Sequence, residues 1–444
     1  MGAGTIDEDF ADETRPIAPG AGSARSALRH PTFRRVFVGA FLSNIGNWMQ
    51  MVVLGGLAYH LSGSSTFVGV MVFAQLGPLL LLSPVGGLMA DRFDRRRLLM
   101  IVTGTQLGLS LALAAIALSD NPNKVALVGV VFAIGMGQAV YGPTYSSLLP
   151  QLVDRDDLAG AVSLNSTQMN LSRVIGPAIG GVLNSLVGAS AVFVGNAASY
   201  LFVIGALLTV QLPAPIVDHT ASKGIRALGD GFRIARRDPV VWRCLVILFW
   251  FSLISLPFVG QFPVLAERNL GIDSQSIPYG VLYACFGLGA ALGSLSVGTV
   301  FNRHDNARIT RISLIGFAAA LSLFAVLRSP TPAYPVAVLV GFAYFALITA
   351  LAVVLQERLA DRERGRVMAL WIMAFGGTVP IGNLLAGPLI DRTSVTTVIL
   401  VGAAFALALT GYARLDRDRD RKKHGAAVST TATTPATATA CAGR

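Results

Sequence analysis

The chain has 444 residues, 53% of them hydrophobic and only 13% charged, with a mean hydropathy of +0.62; soluble domains carry about 25% charged residues, so a soluble enzyme is excluded. Thirty-five basic against 24 acidic residues leave a net charge of +11. These charges sit in short clusters between apolar runs rather than on a continuous, phosphate-spaced surface, which excludes nucleic acid as the partner.

A bilayer span needs about 20 apolar residues, so twelve use roughly 240 positions and leave about 200 for tails, linker and loops. In chain order, residues 1–35 read as a disordered cytoplasmic tail. Asp7, Glu8, Asp9, Asp12 and Glu13 precede any apolar stretch, which does not fit a cleavable secretion signal. Apolar windows bounded by charge then predict helices over 36–58, 66–90, 98–118, 125–149, 159–184 and 188–211. A polar linker follows over 212–242. Six more helices are predicted over 243–266, 277–301, 309–328, 333–355, 366–390 and 395–413. Residues 414–444 pass from a charged run into a Thr/Ala repeat and read as a second disordered cytoplasmic tail. The expected fold is an all-α integral membrane protein, with twelve transmembrane helices in two pseudo-symmetric six-helix bundles, 36–211 and 243–413.

Charge placement predicts the orientation. With both termini cytoplasmic, the outer loops hold only Lys124, Arg268, Arg328 and Arg392, Arg173 alone lies within a helix, and the other thirty basic residues face the cytoplasm. Internal repetition supports two halves. Gly87, Asp91, Arg92, Asp94 and Arg97 recur 211 positions later as Gly298, Asn302, Arg303, Asp305 and Arg308. Two parallel six-helix repeats around a midplane cavity are one route to alternating access. Cys244, Cys285 and Cys441 lie far apart, and no metal site, disulfide framework or cofactor is expected.

The segment after the second helix, containing Gly87, Asp91, Arg92, Asp94, Arg95, Arg96 and Arg97, resembles motif A of the major facilitator superfamily. The resemblance implies a cytoplasmic latch on Gly87, Asp91, Arg92, Asp94, Arg95 and Arg96. Glycine permits close helix approach, Asp91 can face the positive end of a neighbouring helix, and arginines can pair with rim carboxylates. Any cytoplasmic Arg-rich loop also serves topology, and for Arg96 and Arg97 both readings stand. Asp94 occupies the place of the family's usual glycine, so the tight turn there is not assured. In the fifth helix Gly176, Pro177, Gly180 and Gly181 form GPxxGG, which resembles motif C of the superfamily's drug and metabolite antiporters. Proline allows a kink and the small residues a tight helix contact.

The run Gly46 to Gln50, the run Leu149 to Val153, Leu164 with Asn165, and Asn170 with Arg173 narrow the resemblance. They are similar to the bacterial transmembrane secretion effector group, with its enterobactin-exporter-like and macrolide-efflux-like carriers. That implies an exporter of small molecules. Only four basic residues are lysines, Lys124, Lys223, Lys422 and Lys423, which hints at a GC-rich bacterial genome.

Arg173 is the one charged residue well inside the apolar zone. Such a residue is costly unless it faces protein or water, which makes it a functional candidate; a structural role, donating to helix carbonyls or to Asn170, is the alternative. Polar and aromatic residues at helical spacing extend the expected substrate cavity to Asn47, Trp48, Gln138, Tyr141, Gln168, Trp250, Tyr283 and Trp371, each of which could equally serve helix packing. No acid or histidine is placed mid-span, and no ATP-binding loop is present. The expected function is therefore secondary active export of a small amphiphile, siderophore, antibiotic or other metabolite, driven by proton antiport as the family resemblance implies. The expected setting is a monomer in the bacterial cytoplasmic membrane, with the cargo, the lipid bilayer and protons as partners. The rivals are an uptake symporter of the same fold, which calls for a polar cavity and commonly a buried acid, and a membrane-embedded enzyme, which calls for clustered His, Asp, Ser or Cys.

Overall fold

The computed structural model describes residues 22–119, 121–210, 225–301, 303–413 and 415. Most of both expected tails (1–21 and 416–444) and the first part of the linker (211–224) lie outside the described residues.

Twelve long helices follow one another. The first six are α1 Pro31–Ser62, α2 Ser65–Arg92, α3 Arg95–Ala117, α4 Lys124–Leu148, α5 Leu158–Val187 and α6 Ala189–Thr209. The second six are α7 Pro239–Gly260, α8 Ile277–Gly298, α9 Asn306–Val326, α10 Pro330–Arg358, α11 Asp361–Arg392 and α12 Val395–Tyr412. No strand occurs among the described residues. Ten of these helices are long and apolar enough to cross a membrane. The exceptions are informative: α2 is bent by 49° between Leu80 and Val85, and α5 is too polar over its first half.

Local chemistry sets the helix ends. Pro31 opens α1, and Gly63 closes it in the left-handed conformation (φ +61°), donating its amide to the Tyr59 carbonyl; Ser64 then caps α2. Two residues thus turn the chain back into the bilayer. Asp94 and Asp305, repeat-related positions, cap α3 and α9 by accepting from the Arg97 and Ala307 amides at 2.7 and 3.1 Å. This accounts for the aspartate at the place of glycine: the turn is stabilised by a cap, not by backbone freedom.

Two boundaries move from the expected ones. Order begins before residue 36, because Gly22 donates to Asp157, His30 pairs with Asp157 at 2.8 Å, and Gly160 leaves room for the Ser23 carbonyl. The second part of the linker, Ile225–Arg237, is an amphipathic helix lying on the start of α11, with Gly231 against the Arg366 carbonyl.

Buried apolar side chains of both halves join in one core, to which each half adds a cluster of its own. In the first half, Gln50 of α1 accepts from Ser110 of α3 (2.7 Å) and Asn196 of α6 (2.9 Å) in a buried network. In the second half, Phe251, Phe258, Phe262, Phe286, Phe317 and Tyr344 interlock with ring centroids 4.9–6.3 Å apart. The halves meet along two helix pairs, α2 with α11 and α5 with α8.

Candidate functional site: the interface between the halves

Small residues let the halves touch. A Cβ on Gly181 of α5 would strike the Cα of Gly280 on α8, and one on Gly287 of α8 would strike the Arg173 carbonyl. Gly176 and Gly180 face the other way, against Trp48 and Met49 of α1. The GPxxGG segment therefore packs α5 on both sides, with Gly176 and Gly180 inside the first half and Gly181 across the divide. Residues 158–187 run as one helix through Pro177.

Arg173 stands where this contact ends. Its guanidinium lies 5.0 Å from the Trp48 ring and 4.2 Å from the Phe345 ring of α10, so it bridges the two halves between aromatic faces. One N–H reaches Asn170 Oδ1 at 3.3 Å, whereas Nε is buried without a hydrogen-bond partner. No carboxylate pairs with Arg173 among the described residues. A guanidinium has five donors, so most of this one's capacity is unspent.

Toward the Asp91 end, Ser163, Ser166 and Thr167 of α5 are exposed and Asn170 is half-buried. Ser166 and Thr167 donate back to the Val162 and Ser163 carbonyls of α5 (3.1 and 2.9 Å), so this part of the helix carries a polar surface whose hydroxyls are already bonded. The opposite end is shut. Every hydrogen bond between the halves among the described residues lies there. Asp391, at the end of α11, accepts from the Ser65 and Thr66 amides (both 2.9 Å) and from the Ser64 and Thr66 hydroxyls (both 2.8 Å). Arg268, beyond α7, reaches Asp391 (3.2 Å), the Tyr59 hydroxyl (2.8 Å) and the Gly63 carbonyl (3.1 Å). Gln261 donates to the Ser65 carbonyl, Ser274 to that of Gly56, and Asn184 to that of Gln275. Just beneath, a cavity of about 30 Å³ is lined in part by Met51, Gln75, Pro263 and Tyr283.

The remaining expected cavity residues are spread more widely. Tyr283 lies within electrostatic reach of Arg173 and is buried against Phe262 (4.9 Å) and Phe286 (5.9 Å). Asn47 accepts from Tyr200 at 2.6 Å inside the first half. Tyr141 stacks on Tyr145 at 5.8 Å, Gln168 donates to Asn165 at 2.7 Å, and Gln138 is half-buried. Trp371 is buried in the core that the two halves share. Trp250 is 42% exposed and packs toward Phe405 of α12 and its neighbour Phe249, apart from Arg173.

In the expected latch, Arg95 donates to the Ser147 carbonyl at the end of α4 (3.1 Å), and Arg96 to the Leu207 and Leu208 carbonyls at the end of α6 (2.7 and 3.0 Å). Asp91 and Arg92 are exposed and make no hydrogen bond or ion pair among the described residues, and the space beside Gly87 is open. Sequence reasoning missed Phe345, one aromatic among many at helical spacing. It also missed the Asp391–Arg268 clasp, whose partners lie more than 300 and 200 positions away along the chain.

Comparison with known proteins shows the family and the fold. A family model described as transmembrane secretion effector matches residues 22–438. The staphyloferrin A transporter of Staphylococcus aureus is 25% identical over 381 residues, covering 84% of this chain and 93% of that protein. The enterobactin exporter of Escherichia coli is 28% identical over 368 residues, covering 81% and 85%. A crystal structure of the nucleoside transporter NupG superposes with a TM-score of 0.70 at 14% identity, over 86% of this chain and 99% of that one, which shows the shared fold.

Proposed function

We propose that this chain, which belongs to the transmembrane secretion effector family of major facilitator transporters, exports a small anionic amphiphile by alternating access, with proton antiport as the driving force. Membership makes it a multi-pass transporter of small-molecule cargo and not an enzyme. The observation that carries the finer reading is Arg173: a guanidinium held between Trp48 and Phe345, lacking a carboxylate partner among the described residues, with a buried Nε donor left over. A cationic group set between two aromatic faces at the edge of a polar helix surface suits a cargo that has both a negative charge and a flat apolar body.

The cycle follows from the two ends. Cargo enters from the cytoplasm along the polar surface of Ser163 and Thr167, and reaches Arg173. The clasp at Asp391 then parts while the Asp91 end closes, and the cargo leaves on the far side. The direction is supported by the resemblance of the GPxxGG segment to motif C of the antiporters and by the relative named as an exporter. Proton antiport rests on the family resemblance.

The test is uptake into inside-out membrane vesicles from expressing cells, using a panel of anionic, neutral and cationic amphiphiles. Imposing an inside-acidic gradient should drive accumulation of anionic members, and collapsing it should abolish that accumulation. Gradient-driven uptake of a sugar or amino acid into intact cells, with no effect on amphiphiles, would replace export by uptake symport.

A further inference from the structure

On the outside of the second half, α9 and α10 leave a groove of about 580 Å³. It begins at Phe301, His304 and Arg308 and continues along Gly316, Ala320 and Leu323 of α9 beside Leu339, Phe342 and Ala346 of α10. From position 308 to 323 an α-helix rises about 22 Å, and one leaflet of hydrocarbon is about 15 Å deep. An extended chain entering at the Arg308 end therefore stays within the groove through its whole leaflet. Small side chains make the room: even a Cβ placed on Gly316 would sit at ordinary contact distance, 3.8 Å, from that of Ala343.

The groove has a charged mouth. Arg303, Arg308 and Arg311 with His304 face Asp305 alone within residues 303–311. Asp305 is occupied in capping α9, Arg311 has its own partner, and Glu357 of α10 accepts from Asn306 at 3.3 Å. Arg303 and Arg308 remain exposed. Comparison of the repeats gives the reason. In the first half Arg95 and Arg96 tie α3 to the carbonyl ends of α4 and α6, whereas the positions 211 later are Asn306 and Ala307. The second copy lacks the arginines that seal helix ends and keeps Arg303 and Arg308, both exposed.

We propose that this groove is a binding site for an anionic phospholipid, the phosphate held by Arg308 and His304 and one acyl chain lying along Gly316 and Ala320. Basic residues near the membrane surface attract anionic headgroups, and a cleft that opens to lipid accepts the chain without a dewetting cost. The site lies apart from Arg173 and does not depend on which cargo is exported.

The experiment is native mass spectrometry of the full chain in detergent, with phosphatidylglycerol or phosphatidylcholine of identical acyl chains added at equal concentration. The unaltered chain should retain phosphatidylglycerol preferentially. The double substitution Arg308→Ala with His304→Ala should lower that retention about fivefold or more and leave phosphatidylcholine unchanged. Gly316→Leu, which fills the groove away from the mouth, should lower retention of both lipids, and an unchanged melting midpoint in each variant certifies the fold. Equal retention of the two lipids by the unaltered chain, or phosphatidylglycerol retention insensitive to both sets of substitutions, overturns the proposal.

Discussion

Asp391 and Thr66 meet across the divide between the two halves: one carboxylate oxygen accepts from both the amide (2.9 Å) and the hydroxyl (2.8 Å) of the second residue of α2. The carboxylate therefore caps a helix that belongs to the other half, and the negative charge sits at the positive end of that helix. A cap formed between halves exists only while this end of the transporter is closed. The consequence is that the clasp stabilises one conformation of the cycle and not the other.

Asp391→Asn keeps the shape but removes the charge, and charge-assisted hydrogen bonds contribute more than neutral ones. The clasp is partly exposed, so a loss of about 1–2 kcal/mol is expected, which moves the equilibrium between end-closed and end-open states by a factor of about 5–30. Spin labels at the exposed positions His60 and Thr393 should report a longer distance in a larger fraction of molecules. An unchanged distance distribution would show that the clasp does not hold this end.

At Arg173 the two conservative questions separate. Arg173→Lys keeps the charge and loses the planar fork, whereas Arg173→Ala loses both. With the cargo role, alanine should abolish transport of anionic compounds more than of neutral ones while protein abundance holds, and lysine should restore part of it. Phe345→Leu should weaken apparent cargo affinity by about 1–2 kcal/mol, the value of a desolvated cation–π contact. Uniform loss of all transport with poor folding in detergent would assign Arg173 to structure instead.

How much of this was legible beforehand depends on the range of each signal. Twelve helices and the division into halves follow from apolar length and charge placement, both local. Arg173 stands out for the same reason: a lone charge in an apolar window is visible without knowing its neighbours. Phe345 was not legible, since helical spacing cannot say which of many aromatics faces a cation on another helix. Asp391 read only as an acid at a helix end, because its partners Ser65 and Thr66 are 326 and 325 positions away. Order at residues 22–35 was hidden by the acidic, polar composition just before it, and depends on Asp157, again a distant partner.

The glycine pair tests whether close approach at the divide matters. Gly181→Val or Gly280→Val should block closure of the Asp391 end, since each Cβ would fall on the partner backbone. Transport should fall at least tenfold with normal membrane insertion. Gly104→Ala, with open space around it, is the neutral comparison and should also gain slightly in helix stability. Equal tolerance at all three positions would mean the halves adjust freely.

For the Asp91 latch, the structure has the wrong end closed for it to engage, so ground-state stability and cycle turnover should respond differently. Asp91→Asn should leave the melting midpoint unchanged yet lower transport. Its repeat counterpart is already Asn302, and Asn302→Ala should matter less. Equal transport defects at 91 and 302 would argue against an asymmetric latch.

Docking of the N-terminal segment depends on pH. Asp157 accepts from His30 at 2.8 Å and from the Gly22 amide at 3.1 Å, and these bonds, that of His30 first, hold its carboxyl below the ordinary value of 3.8. A carboxylate whose folded pKa is depressed contributes stability that is present above its unfolded value and is lost as pH falls through the lowered one. Docking of residues 22–30 should therefore persist from neutral pH down to about pH 4 and weaken below it. Hydrogen exchange of that segment should accelerate in the same range, while exchange in α6 stays slow. Asp157→Asn removes the charge at every pH, so the segment should exchange fast already at neutral pH and lose its acid transition. A segment that stays protected in this variant would show that packing of Gly160 against Ser23, rather than the carboxylate, holds it in place, and release well above pH 4 would show that a group other than Asp157 governs docking.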